Sequence, residues 1–288
     1  MRSILLLAFV SMSACSSSEA APNAPDASSS DAREVVLDPN GCTPLTDELP
    51  GAICIRTLRA RVVDDRGAPL PELVVTACGD GCTFGATDAR GDVVMDVRRY
   101  MRSAAMMVHG RAKYASFYLL FPSGSSDPDL GTVVAPALPP GTEELPTDGR
   151  AADRTFGDLT LSFAEGAKVE VDGIEFSEGP ERRFSAVEVP KEKAPRWAAG
   201  DFAAVYALNP FGTNVDPGAS VTIANTKGLP AGSKVEIFVH GADVFSRVLP
   251  FADFTKVGEG TVSADGATIT SDGAIVRQLT WIGVRAIR

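Results

Sequence analysis

The chain has 288 residues, a formal net charge of −10, 44% hydrophobic residues and 7% aromatic residues. That hydrophobic fraction excludes a wholly disordered chain, and the acidic balance argues against nucleic-acid binding, which needs a basic face to neutralise phosphates. His109 and His240 are the only two histidines, which leaves little material for histidine-based catalysis or a multi-histidine metal centre.

The N-terminus opens with Arg2 and the apolar run Ile4–Val10, followed by Ser11-Met12-Ser13-Ala14-Cys15. Seven apolar residues are too few to span a bilayer, which takes roughly 20, but they suit a secretory signal. Met12-Ser13-Ala14-Cys15 resembles a bacterial lipobox, with Met12 in place of the commoner leucine. The resemblance implies removal of a 1–14 signal peptide and lipidation of Cys15 with acyl chains such as palmitate. Two or three chains anchor a protein stably where one is marginal. Ser16 after the cysteine implies, by the enteric-type sorting rule, an outer-membrane lipoprotein. The rival reading is an ordinary signal cut near Ala20 or Ala21. No other run reaches transmembrane length, since Ala115–Phe121 is stopped by Pro122.

Residues 15–50 read as the lipidated cysteine and a flexible tether. Runs such as Ser16-Ser17-Ser18, Ala20-Ala21-Pro22 and Ser28-Ser29-Ser30 cannot bury enough apolar surface to order themselves. Seven acidic residues and Arg33 give residues 16–50 a net −6. Four cysteines remain: Cys42, Cys54, Cys78 and Cys82. An even number in an exported chain reads as two disulfides with three possible connectivities. Cys42–Cys54 and Cys78–Cys82, each closing a short loop, are the favoured pairs. Closing the first loop is worth about 3 kcal/mol in the chain-entropy model. The two glycines of Cys78-Gly79-Asp80-Gly81-Cys82 permit the reversal that the second needs. Metal binding by this Cys-x-x-x-Cys pair would lack a completing histidine or second cysteine pair.

Residues 51–135 form the first expected β-sandwich. Ile55–Val63 alternates, and Leu73–Ala77, Val93–Val97 and Ala115–Phe121 are short apolar runs bounded by Gly, Pro or Asp. Asp64-Asp65-Arg66-Gly67 and Asp88-Ala89-Arg90-Gly91-Asp92 read as turns. Arg61-Val62-Val63-Asp64-Asp65-Arg66-Gly67-Ala68-Pro69-Leu70-Pro71, then Val74–Ala77, then Thr87–Val93 resembles the carboxypeptidase regulatory-like domain over roughly residues 56–125. The resemblance implies a transthyretin-like β-sandwich and a mostly non-catalytic spacer or interaction role.

Residues 136–150, with Pro136, Pro139 and Pro140, read as a semi-stiff linker. Residues 151–288 read as a second β-sandwich. Its strand candidates are 159–163, 168–171, 184–189, 203–208, 219–224, 234–240, 254–260, 268–271 and 282–287. Turns are expected at Asn209-Pro210-Phe211-Gly212 and Asp216-Pro217-Gly218, among others. The stretch from Asn209 through Gly232, with Gly260–Gly266, resembles a β-rich domain of exported myxobacterial-type surface proteins, which implies no known chemistry. The expected class is therefore all-β, two sandwiches in tandem after a lipoprotein tether.

No familiar catalytic or nucleotide-binding motif is present. His109 and His240 read as turn or strand-end residues. Arg90-Gly91-Asp92 reads as the chance content of a turn, and Asp64-Asp65 and Glu143-Glu144 as solvated pairs. Asp88, Asp92, Asp265 and Asp272 could offer oxygen to calcium, but without EF-hand spacing. Trp281, between Leu279 and Ile282, reads as core, whereas Trp197 beside Lys191, Lys193 and Arg196 is the candidate glycan contact. The leading expectation is a non-enzymatic cell-envelope lipoprotein acting as a structural or interaction module, with membrane contact through its lipid and a possible envelope-protein partner. The alternative is a glycan-binding lipoprotein using loops of the second domain. No cofactor, metal or nucleic-acid partner is expected. An enzyme would require a cleft joining a histidine or carboxylate pair to a nucleophile.

Overall fold

The computed structural model describes residues 36–45, 47, 49–172, 176, 179–195, 198, 200–242 and 249–287. All regular structure among them is β, as the short runs and frequent turn residues predict.

The first seven strands are β1 (Ile53–Val63), β2 (Val74–Cys78), β3 (Cys82–Ala86), β4 (Asp92–Met101), β5 (Ala105–Val108), β6 (Phe117–Leu120) and β7 (Asp129–Val134). They make two sheets, β4-β1-β7 and β3-β2-β5-β6. β1 is the central strand of the first, antiparallel to β4 and parallel to β7. The simple alternation of β1 is broken beside its pairing with β4. Ile55 pairs with Arg99 and Thr57 with Asp96, so Val97 and Arg98 together oppose Arg56. The extra residue lies in β4, and beside it both Ile55 and Leu58 of β1 are buried, although an odd number of steps separates them. Arg98 takes φ +46° there, and its carbonyl accepts a hydrogen bond from Thr43 N at 3.0 Å.

Two disulfides staple this region. Cys42 joins Cys54 at the start of β1, with Cα atoms 5.9 Å apart, and Cys78 joins Cys82 across the β2–β3 hairpin. Two such bonds mark an extracytoplasmic protein. Asp80 at the hairpin tip accepts hydrogen bonds from the backbone and guanidinium of Arg102.

The remaining strands are β8 (Glu143–Glu144), β9 (Ala152–Phe156), β10 (Leu159–Phe163), β11 (Lys168–Glu170), β12 (Arg183–Glu188), β13 (Ala204–Asn209), β14 (Thr213–Ala224), β15 (Lys234–His240), β16 (Phe254–Val262), β17 (Thr268–Ser271), β18 (Val276–Leu279) and β19 (Trp281–Ala286). They form one sheet, β8-β12-β13-β19-β15-β16-β17-β14-β10-β9, with β11 and β18 also pairing to β14. Its two ends approach each other. Arg154 on β9 donates to the Glu144 carbonyl of β8 at 2.6 Å and ion-pairs with Glu143 at 3.5 Å. The sheet thus nearly closes around Leu161, Phe163, Phe184, Tyr206, Leu208, Val221, Ile237 and Ile282. Asp216-Pro217-Gly218, expected as a turn, instead lies inside β14. The residues between Asn214 and Ala219 bulge out of the pairing with β18. A bulge is where a sheet tolerates proline.

The regions read as two sandwiches pack directly on each other. All six residues of β13 are buried. Ala204, Tyr206 and Leu208 point into the rolled sheet, while Val205 and Ala207 join a core shared with the first seven strands. β19 divides in the same way, with Ile282 inward and Trp281 in the shared core. Trp281 is fully buried, and its Nε1 donates to the Ser116 carbonyl at 2.8 Å. Its ring stands edge-on to Phe117, centroids 5.8 Å apart. Tyr118 meets Phe251 and Phe211 at 4.6 and 6.2 Å. The 136–150 segment, expected as a linker, is built into this packing. Ala137 bridges to Tyr114, Leu138 N donates to the Lys113 carbonyl at 2.9 Å, and Leu138 and Leu145 are buried.

Trp281→Ala removes a fully buried indole and is expected to lower unfolding free energy by about 3–5 kcal/mol. Trp281→Phe, which keeps a ring but loses the donor, is expected to cost about 1–2 kcal/mol. Urea unfolding measures both, and a Trp281→Phe variant as stable as the parent would show that the indole bond contributes nothing.

Candidate functional site

Strand periodicity places alternate residues of β15 and β19 on the outer face of the rolled sheet. On β15 these are Glu236, Phe238 and His240, while Val235, Ile237 and Val239 face the inner core. On β19 they are Trp281, Gly283 and Arg285. The register sets Glu236 opposite Arg285, and Phe238 opposite Gly283. Arg285 uses this placement fully. Its Nε and Nη2 donate to Glu236 Oε2 at 2.9 and 2.6 Å, and its guanidinium lies 4.4 Å from the centre of the Phe238 ring. Such stacking adds attraction between the cation and the ring face.

Lys256 on β16 reaches the other carboxylate oxygen of Glu236 at 3.0 Å and also Glu259 at 2.9 Å. The result is a chain of alternating charges, Glu259–Lys256–Glu236–Arg285. The Arg285 guanidinium, and after it Lys256, hold the Glu236 carboxyl below its ordinary range. Glu259 and then Glu236 hold the Lys256 ammonium above its ordinary range.

Phe202 lies over the middle of this face, 5.3 Å from Phe238 and 4.9 Å from Phe254 by ring centres. Gly283 makes that possible, because a Cβ there would stand 2.8 Å from the Phe202 ring. Phe202 belongs to the segment between β12 and β13, which also brings Lys191 and Asp201 to the rim. Together Lys191, Asp201, Phe202, Glu236, Arg285 and Ile287 line a depression of about 470 Å³. Among the described residues neither Lys191 nor Asp201 forms an ion pair. Chemically the site offers exposed donors and acceptors around a fixed aromatic ring.

The residues singled out by sequence are placed as follows. Cys15 and Trp197 lie outside the described residues. Trp281 is in the shared core. His109 Nε2 lies 3.1 Å from Thr76 Oγ1, a hydroxyl itself buried. His240 is fully buried beside Phe254, and burial pushes its pKa down to about 3. Arg90 of the Arg-Gly-Asp turn pairs with Asp92 at 3.3 Å and Asp88 at 3.6 Å. Asp88 also accepts from Arg90 N and Asp92 N, which hold its carboxyl below the usual range. Asp64 caps its own turn by accepting from Arg66 N and Ala68 N, and Asp65 pairs with Lys193 at 3.3 Å. Asp265 accepts from Ser263 and Ala267 N, and Asp272 from Lys234 and Thr261. No group of three or more His, Cys, Asp or Glu side chains among the described residues is arranged to hold a metal ion. The depression was not singled out from sequence, since its residues are scattered from 191 to 287. Its local traces are Lys191, which stands beside Trp197 in the expected glycan contact, and the glycine in the middle of the Trp281–Ala286 strand.

Compared with known proteins, the chain matches no protein-family model and no curated protein.

His240 should make stability depend on acid. Unfolded, the ring takes a proton near pH 6.5; folded, it does so only near pH 3. Between those values the unfolded state binds more protons, so stability falls as pH drops from about 6.5 towards 3. Between pH 7 and 5 this one group is expected to cost about 2 kcal/mol. Urea unfolding at both pH values should show a smaller loss in His240→Phe than in the parent. An equal loss would contradict the assignment.

Proposed function

We propose that the chain is a non-enzymatic cell-envelope lipoprotein that displays its β body at an outer-membrane surface as a structural or interaction module. The observation that carries this reading is the Cys42–Cys54 disulfide. It fastens the chain arriving from the N-terminus to β1, the central strand of its sheet. A pull on the tether is therefore borne by a covalent bond into the sheet. The lipobox-like Met12–Cys15 and the acidic, serine-rich residues 16–35 supply the other parts of a tethered module. Among the described residues no helix is long and apolar enough to cross a membrane.

A second reading, glycan binding through loops of the 151–288 region, is favoured by one specific observation. Lys191, Asp201 and Phe202, which flank Trp197 in the sequence, form a wall of the depression. An open, polar rim beside an aromatic ring suits a hydroxyl-rich ligand.

Phase partition in a cloud-point detergent tests the first reading on the exported protein. The parent is expected in the detergent phase and Cys15→Ala in the aqueous phase. Identical partition of the two would overturn lipidation at Cys15, and with it the display role.

A further inference from the structure

Resting on the glycan reading, we infer that the depression beside Arg285 takes an uncharged saccharide, held by Phe202, Asp201, Lys191 and Arg285. The ligand class follows from how charge is distributed around the rim.

Lys191 and Arg285 carry positive charge, and Asp201 and Glu236 carry negative charge, so the lining is formally neutral. An anion entering it meets Asp201 and Glu236, and a cation meets Lys191 and Arg285. A hydroxyl group, in contrast, both donates and accepts. It can use a donor and an acceptor at once and brings no charge to desolvate.

The capacity for such bonds is present and not already spent. Glu236 is engaged on both oxygens, one by Arg285 and the other by Lys256. Its role is to orient Arg285, whose Nε and Nη2 it occupies, leaving the Nη1 amine over. Lys191 adds three donor hydrogens, and Asp201 two acceptor oxygens, and neither is engaged in an ion pair among the described residues. Both are exposed, so a ligand displaces only surface water to reach them.

The aromatic element is fixed in advance. Phe202 is wedged against Phe238 and Phe254 above the bare backbone of Gly283, and it remains partly exposed. The C–H face of a sugar ring can lie on such a ring without ordering it first, which lowers the entropic cost of binding. Arg285 is likewise held by its pair with Glu236 and its stack on Phe238. A volume of about 470 Å³ falls within the roughly 300–1,000 Å³ of small-ligand sites.

Calorimetric titration of the detergent-solubilised full chain tests the inference. The probes are neutral tetrasaccharides of glucose, galactose and mannose, and an acidic tetrasaccharide of galacturonic acid. At least one neutral probe is expected to bind. Asp201→Ala and Lys191→Ala, both at exposed positions, should each weaken it at least tenfold, while Val94→Thr on the distant β4 should leave it unchanged. Neutral binding that survives Asp201→Ala and Lys191→Ala within twofold would move the ligand elsewhere and overturn the inference. Binding of the acidic probe alone would overturn the ligand class and leave the glycan reading standing. Silence with every saccharide would overturn the glycan reading itself.

Discussion

Two neighbouring strands, β13 and β19, are buried on both faces, and the rest of the molecule is arranged around that constraint. A strand in a half-solvated sheet needs one apolar face; these two need cover on each. The rolled sheet supplies the inner cover. On the outer side the first seven strands supply it, and the indole of Trp281 is the point of closest dependence. It fills shared core, and its N–H satisfies the Ser116 carbonyl, which would otherwise be buried without that donor.

The outer face of β19 changes character along its length. Trp281 lies under Phe117, Gly283 lies under Phe202, and Arg285 reaches the open depression. One period-two pattern thus runs from core, through a close-packed platform, to a polar rim. The candidate site exists where the cover of β19 ends. Its rigidity is inherited from the packing at the other end of the same strand, since Arg285 belongs to that strand and Phe202 packs onto it over Gly283. The same face carries Glu236, Phe238 and His240 on β15, with the ionised residue at the open end and the neutral histidine at the buried end. Desolvation explains the order, because a charge is cheap to keep where water reaches it and costly where it does not.

Much of this was legible in the sequence. β15 and β17 fall on the residues expected, and β10 likewise, because alternation or a short apolar run bounded by turn residues marks each. β3, β5, β7, β8, β9 and β18 fall outside the expected strands, β8 being the two glutamates of the expected linker. β3 carries a glycine and a cysteine among five residues, β5 is four residues built around two methionines, and β7 and β9 are short, largely exposed strands at sheet edges. Apart from Thr132-Val133-Val134 at the end of β7, none has the β-branched run that marks a strand locally. Proline misled twice, for different reasons. Pro217 sits in a bulge inside β14, and the prolines of 136–150 sit in a segment that packs through Leu138 and Leu145. The packing of one region on the other left only indirect marks, the unbroken apolar run of β13 and the core character of Trp281. The site left almost none. Its residues come from one loop and two strand ends, and pairing register, which no local pattern encodes, is what brings Glu236 opposite Arg285.

If the two regions share a core as Trp281 and β13 indicate, they should unfold together. Differential scanning calorimetry of the full chain, followed in parallel by the near-ultraviolet circular dichroism of its aromatic residues, measures this most directly. A single transition, with calorimetric and van't Hoff enthalpies equal and the aromatic signal lost at the same temperature, is the predicted result. Two resolved transitions, with the aromatic signal following only one of them, would contradict it and return the molecule to independent domains on a string.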